Sequence, residues 1–275
     1  MDRAEEYDKE HGPAQSAAQQ AMSEYMGSMT WKPRERISDL GCGPGTVTVE
    51  MLLPRLPDDF EILVAADVST AMLELARSKY THPKVKFLEL DLAKPIPPDS
   101  DLRTPGFDKV FSFFCLQWIP DQRQAVTNIY NLLRPGGEAL VTIFARSDLI
   151  AAYNVQSQKK EWQPYLKKVQ RRVTTYQNSQ DPAEDLRKIL KDVGFEVVDC
   201  KCRKTSYNFE VVSRIKGFAI SVNPYLNVIP KELHDTFITD LLMEMTKIKF
   251  KREENKDDSI TEMKYDQIIA YIRKV

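Results

Sequence analysis

The chain has 275 residues, 42% hydrophobic and 29% charged, proportions ordinary for a soluble globular protein with a sizeable core. Its 39 basic and 40 acidic residues leave a net charge of −1, so no overall field draws it to nucleic acid or an anionic membrane surface. Four cysteines, at 42, 115, 200 and 202, suggest no disulfide framework, and three scattered histidines give no metal-ligand spacing.

Residues 1–6 lack the apolar stretch of a signal peptide, and no apolar run is long enough for a membrane span. A reduced, cytoplasmic protein is expected. Ala17, Ala18, Ala21, Met22, Tyr25 and Met26 recur at three- and four-residue spacing and predict a helix over 14–29. Segment 1–30 is then either a helix packed on the outside or a lid over a ligand. Trp31 is expected to pack that helix on a sheet.

Strands are predicted over 37–40, 62–67, 85–91, 108–114 and 138–144. Helices are expected over 44–53, with Pro44 in the first turn, over 72–79, capped by Ser69, and over 121–133, stopped by Pro135-Gly136-Gly137. Such alternation implies a parallel sheet with helices on both faces and ligands at the carboxyl ends of its strands. Beyond 145 the rhythm breaks. Residues 147–173 look helical, with Tyr153, Trp162 and Tyr165 first of all core. A helix over 182–192 is closed by Gly194, a sixth strand covers 195–202, and a last one 265–272. Between these, 207–262 reads as mostly helical, with the mixed-sign run 249–258 a solvated loop. The expected whole is a single α/β, Rossmann-like unit over 1–275. It has a seven-stranded, mostly parallel sheet, helices on both faces, and a helical cap from 147–173 and 207–262.

The first strand runs into Asp39-Leu40-Gly41-Cys42-Gly43-Pro44-Gly45-Thr46. Alternate glycines let the backbone bend sharply and approach a ligand. A dinucleotide fingerprint needs a third glycine where Thr46 stands. A carboxylate at Asp39 would repel a pyrophosphate but pair with an ammonium. The D-x-G-x-G-x-G pattern resembles the signature of S-adenosylmethionine-dependent methyltransferases, whose cofactor carries an ammonium and no phosphate. The candidate cofactor-binding residues are Asp39, Gly41, Cys42, Gly43, Gly45 and Phe113, together with the next two strand ends. Asp67 can accept both ribose hydroxyls or cap a helix. Asp91, with Leu92 beside it, can accept from the adenine amino group or serve a turn. Val68 and Met72 are packing residues or sandwich the adenine. Trp118, after strand four, is either core or a donor for one carboxylate oxygen.

Nearly the whole chain resembles the arthropod juvenile hormone acid O-methyltransferases. The likeness runs through segment 7–15, Phe107-Asp108-Lys109-Val110-Phe111-Ser112-Phe113, Leu116-Gln117-Trp118-Ile119, Asn128-Ile129-Tyr130-Asn131-Leu132-Leu133, Asp181-Pro182, Val193-Gly194-Phe195 and Asn223-Pro224. The resemblance implies a class I methyltransferase fold and S-adenosylmethionine as cofactor. It also implies a small lipophilic acceptor, the carboxylate of a sesquiterpenoid such as farnesoic acid or juvenile hormone acid. It places Gln15 and Trp118 on that carboxylate as the catalytic pair, with Gln117 beside them where family members often carry His. The acid is already ionised at neutral pH, so no general base is required. Another small acid, a phenol or an amine as acceptor, and a non-catalytic cofactor-binding paralogue, are the alternatives. Oligomeric state leaves no signal.

Overall fold

Strands β1 (Arg36–Leu40), β2 (Ile62–Asp67), β3 (Val85–Glu89), β4 (Phe107–Phe113), β5 (Leu133–Ser147), β6 (Phe195–Asn208) and β7 (Glu262–Lys274) form one sheet, ordered β3-β2-β1-β4-β5-β7-β6. The computed structural model describes residues 3–166, 176–252 and 261–275. β1 to β5 are parallel, and β7 enters antiparallel between β5 and β6. This is the mostly parallel seven-stranded, Rossmann-like sheet that the alternation predicted. Central strands are buried on both faces, as Leu63, Val64, Ala65 and Ala66 of β2 show, and therefore read as continuous apolar runs.

The helices are α1 (Ala4–Glu10), α2 (Gly12–Tyr25), α3 (Thr70–Lys79), α4 (Gln122–Leu132), α5 (Asp148–Ser157), α6 (Gln163–Leu166), α7 (Pro182–Val193), α8 (Val212–Ser221) and α9 (His234–Arg252). Their ends follow local chemistry. Ser69, Asp121 and Asp181 cap α3, α4 and α7 by accepting from backbone amides. Gly194 closes α7 at φ +112°.

β5 begins at Leu133, so Pro135-Gly136-Gly137 lies in the strand and not in a turn before it, and other differences from the sequence expectation bear on the site. α1 is an additional short helix, carrying too few apolar residues to show a period. The helix expected from Pro44 starts only at Val47, as a π-helical stretch to Leu52; Gly43 and Gly45 hold positive φ and keep Pro44 in the turn. β3 stops at Glu89, leaving Asp91 in the loop beyond. β6 and β7 run on to Asn208 and back to Glu262 as a long antiparallel ribbon. Edge strand β6 alternates exposed and half-buried residues there, so its continuation lacked an apolar run. Of the expected loop 249–258, residues 249–252 continue the α9 backbone and 253–258 lie outside the described residues, as does 167–173 of the first insertion.

Among the described residues, three large apolar clusters hold the layers. One joins the sheet to α4 and α7 through Ile129, Leu186, Val141 and Ile268. A second joins the other face to α2 through Met22, Tyr25, Phe111 and Leu140, with Trp31 packed against it as expected. The third lies beyond the carboxyl ends of the parallel strands and is largely aromatic, including Tyr153, Trp162, Phe218, Tyr225 and Phe237. Trp162 stands edge-on to Phe237 and donates to Asp240 at 2.7 Å, a core role.

Candidate active site

Strand order reverses at β1, and there the chain enters the turn Gly41-Cys42-Gly43-Pro44-Gly45. Gly41 has φ +79°, and a Cβ added to it would come within 2.2 Å of the Cys115 sulfur. Conformation and space both require glycine at that position. The turn is fastened to β2: the Gly41 and Cys42 amides donate to the Ala66 carbonyl, and the Gly43 amide donates to Asp67 Oδ2 at 2.9 Å. Asp67 Oδ1 accepts from the Ser69 amide at 2.8 Å. Burial raises the Asp67 carboxyl pKa against these backbone donors. A carboxylate has about four acceptor positions, so Asp67 retains capacity for a ligand donor beside these backbone amides.

A cavity of about 320 Å³ opens at this edge. Gly41, Gly43, Asp67, Val68, Met72, Asp91 and Leu92 line it, so the structure brings together most of the predicted cofactor set. Asp91 also accepts from the Ala93 amide at 3.0 Å and pairs with Lys94 at 3.1 Å, serving its turn and facing the cavity at once. Gly45 lines no part of it. A Cβ there would press on Phe87 at 3.0 Å and Ala76 at 3.2 Å, so this glycine allows close packing of the turn against β3 and α3. Asp39, Cys42 and Phe113 line an adjoining small space with Gly41 and Tyr7. Asp39 is 2% exposed and accepts from Thr48 Oγ1 at 2.6 Å. Burial pushes its pKa up to about 7.

The facing wall of the large cavity comes from remote sequence: Arg3, Tyr7, Ser221, Asn223 and Asn227. No local motif announced these residues, although Tyr7 and Asn223 fall within segments of the resemblance. Arg3 donates to the Ile220 carbonyl at 3.1 Å and, among the described residues, is the one cation lining this cavity. Acceptors for hydroxyl and amino groups, with an acidic residue beneath the turn, fit a nucleoside bearing an ammonium better than a pyrophosphate.

A second, apolar cavity of about 50 Å³ adjoins the first, and Tyr7, Phe114, Trp118, Val222 and Pro224 line both. Its remaining wall includes Phe144, Leu149, Tyr153, Phe218 and Tyr225, and among the described residues no charged side chain lines it. Trp118 stands at the seam, and neither its indole N–H nor the Tyr7 hydroxyl has a hydrogen bond among the described residues. Gln117 also faces the apolar cavity, but its amide is engaged at both ends. Nε2 donates to the Phe114 carbonyl at 2.5 Å and Oε1 accepts from the Phe144 amide at 3.3 Å. Gln15 is half-buried on α2 and lines neither cavity, whereas Pro13 and Ala14 line the apolar one. The structure therefore brings Trp118, Gln117 and most of the predicted cofactor set together, while Gln15 lines neither cavity.

A family described as "Methyltransferase domain" matches residues 38–141 of the chain. Juvenile hormone acid O-methyltransferase of Bombyx mori is 29% identical over 100% of this chain and 98% of its own. The protein of the same description from Drosophila melanogaster is 28% identical over 100% and 93%. In fold, a candidate methyltransferase of Bacillus halodurans C-125 superposes with a TM-score of 0.60, covering 92% of this chain and 98% of its own at 18% identity.

Proposed function

Given that the chain is a class I S-adenosylmethionine-dependent methyltransferase, we propose that it esterifies the carboxylate of a small lipophilic acid, a sesquiterpenoid such as farnesoic or juvenile hormone acid. The observation that carries this reading is the uncharged, aromatic-walled cavity meeting the large cavity across Trp118. The full-length similarity to two proteins described as juvenile hormone acid O-methyltransferases supports it.

In this proposal Asp67 and Asp91 hold the cofactor's ribose and adenine, and Asp39 faces its ammonium. Bound there, the cofactor supplies a methyl group on a positively charged sulfonium. The chain's own task is to orient an acid that is already a nucleophile, since a carboxylate is ionised at neutral pH. Trp118 donates its indole N–H to one carboxylate oxygen, and the Tyr7 hydroxyl stands beside the same seam. The apolar walls keep water from the reacting oxygen, so rate comes from alignment and from charge neutralisation in a dry site. The apolar cavity is about 50 Å³ in this structure, and it must widen to admit the acid's chain. We assign α1 and α2 as the lid over the cofactor, and α5, α8 and α9 as the cap over the acid. Asp8 ties α1 to the turn helix and α3 by accepting from Thr46 Oγ1 and pairing with Lys79, both at 2.6 Å.

The test is product detection by mass spectrometry after incubation with S-adenosylmethionine and a panel of acids, phenols and amines. A methyl ester from isoprenoid acids, with little from short acids, is the expected result. Methylation of other acceptors alone, or no product while the cofactor binds, would overturn the assignment.

A further inference from the structure

Asn223-Pro224 follows α8 in a segment that no step of the proposed reaction yet uses. Asn223 is 6% exposed and lines the large cavity, and its neighbours Val222 and Pro224 line both cavities. Its Oδ1 accepts from the amides of Tyr225 at 2.9 Å and Leu226 at 3.2 Å, an Asx turn. Two backbone donors fix that end of the amide as oxygen, which settles the direction of the nitrogen. Nδ2 is buried and has no acceptor among the described residues. A buried donor left unmet is costly, so a ligand is the natural source of its acceptor.

We infer that Asn223 donates to the carboxylate of the acid, as a second neutral donor acting with the Trp118 indole. This inference rests on the acceptor reading above. Within the large cavity, the Asp67 and Asp91 carboxylates mark one wall, while Asn223 is flanked by residues of the seam. A carboxylate offers acceptors only, and donors from two separate segments, after β4 and after α8, can fix both of its oxygens. Methyl transfer cancels the acid's charge, so a cation at this position would favour the ground state over the transition state. A neutral amide orients the acid with less of that penalty. Asn223 would thus take the part that Gln15, lining neither cavity, does not.

Two variants separate this role from a purely structural one. Asn223→Asp keeps the oxygen that accepts from the turn amides and replaces the donor with a charge that repels the acid. Asn223→Ser keeps an acceptor for the turn and lacks the amide donor. The assignment predicts a KM for the acid raised about ten- to a hundredfold in Asn223→Asp, kcat changing much less, and a smaller rise in Asn223→Ser. The dissociation constant of S-adenosylhomocysteine, measured by calorimetry on the same preparations, should stay within about twofold. A weakened cofactor product with unchanged KM for the acid overturns the assignment by giving the donor to the cofactor, and unchanged values for both overturn it outright. Ester formation by the unmutated protein checks the acceptor reading separately. Without any ester that reading falls and this one with it; with ester and unchanged KM in the variants, only this one falls.

Discussion

Asp39 has to be ionised to pair with an ammonium, yet its surroundings favour the neutral acid. Within the described residues its one hydrogen-bond donor is Thr48, and burial pushes its pKa up to about 7 from 3.8. An acid whose pKa is raised by folding binds a proton in the native state that the unfolded chain has released. Its contribution to stability is present below about 4 and is lost as pH rises toward about 7. The cofactor-free protein should therefore melt at progressively lower temperature across that window. Cofactor affinity should move the other way, weakening by up to about tenfold for each pH unit below about 7. Calorimetric titration at several pH values checks this, with Asp39→Asn expected to bind weakly and with little of the pH dependence. An equal slope in that variant would place the titrating group elsewhere.

At the scale of the element, the segment leaving β4 decides where Trp118 stands. Phe114 holds φ +50°, a conformation that costs a non-glycine residue about 1–3 kcal/mol and persists only when its surroundings enforce it. Gln117 is part of that enforcement, bridging the Phe114 carbonyl to the Phe144 amide on β5. Gln117→Leu would strand both groups in the interior, a loss of about 2–4 kcal/mol. In a chain of this size that corresponds to a melting temperature lower by about 5–10 °C. Esterification should fall with it while cofactor affinity is retained, because the glycine turn and Asp67 are untouched. A variant with normal melting and normal turnover would remove Gln117 from this role. The same segment explains what could be read in advance. Leu116-Gln117-Trp118 is a recognisable string, but whether its amide meets substrate or backbone depends on β5, which the string does not encode. The glycine turn, Asp67 and Asp91, which line one cavity, could be picked out in advance because each lies in a short run of consecutive residues. Tyr7 and Asn223 come to line one cavity only through tertiary packing. Gln15 shows the complementary limit: one position along a helix turns a side chain by about 100°, and Ala14 has the face toward the cavity.

Across the whole molecule, the sheet keeps chemistry at one end and cohesion at the other. At the amino end of β4, Lys109 lies between Glu35 at 2.7 Å and Glu138 at 3.4 Å and also donates to the Thr30 carbonyl. Glu138, the β5 member, accepts further from Tyr271 and Arg273 of β7 and from the Thr30 amide. Burial works against its ionisation, but these bonds outweigh burial and hold its pKa below the usual carboxylate range. Glu35 has one oxygen without a partner among the described residues, and burial raises its pKa. In sequence each of these residues looks like an ordinary surface charge; only the sheet order brings them to one place. Lys109→Met would leave two carboxylates, 3% and 1% exposed, without the cation between them. The expected loss is about 3–5 kcal/mol in urea unfolding. Lys109→Met combined with Glu35→Gln should recover part of that loss. Four residues along the strand separate Lys109 from Phe113, about 13 Å, beyond the range over which independent substitutions usually couple. Cofactor affinity at temperatures where the variant remains folded should therefore match that of the unmutated protein. A drop in affinity equal to the drop in stability would mean that the two ends of the sheet are not independent.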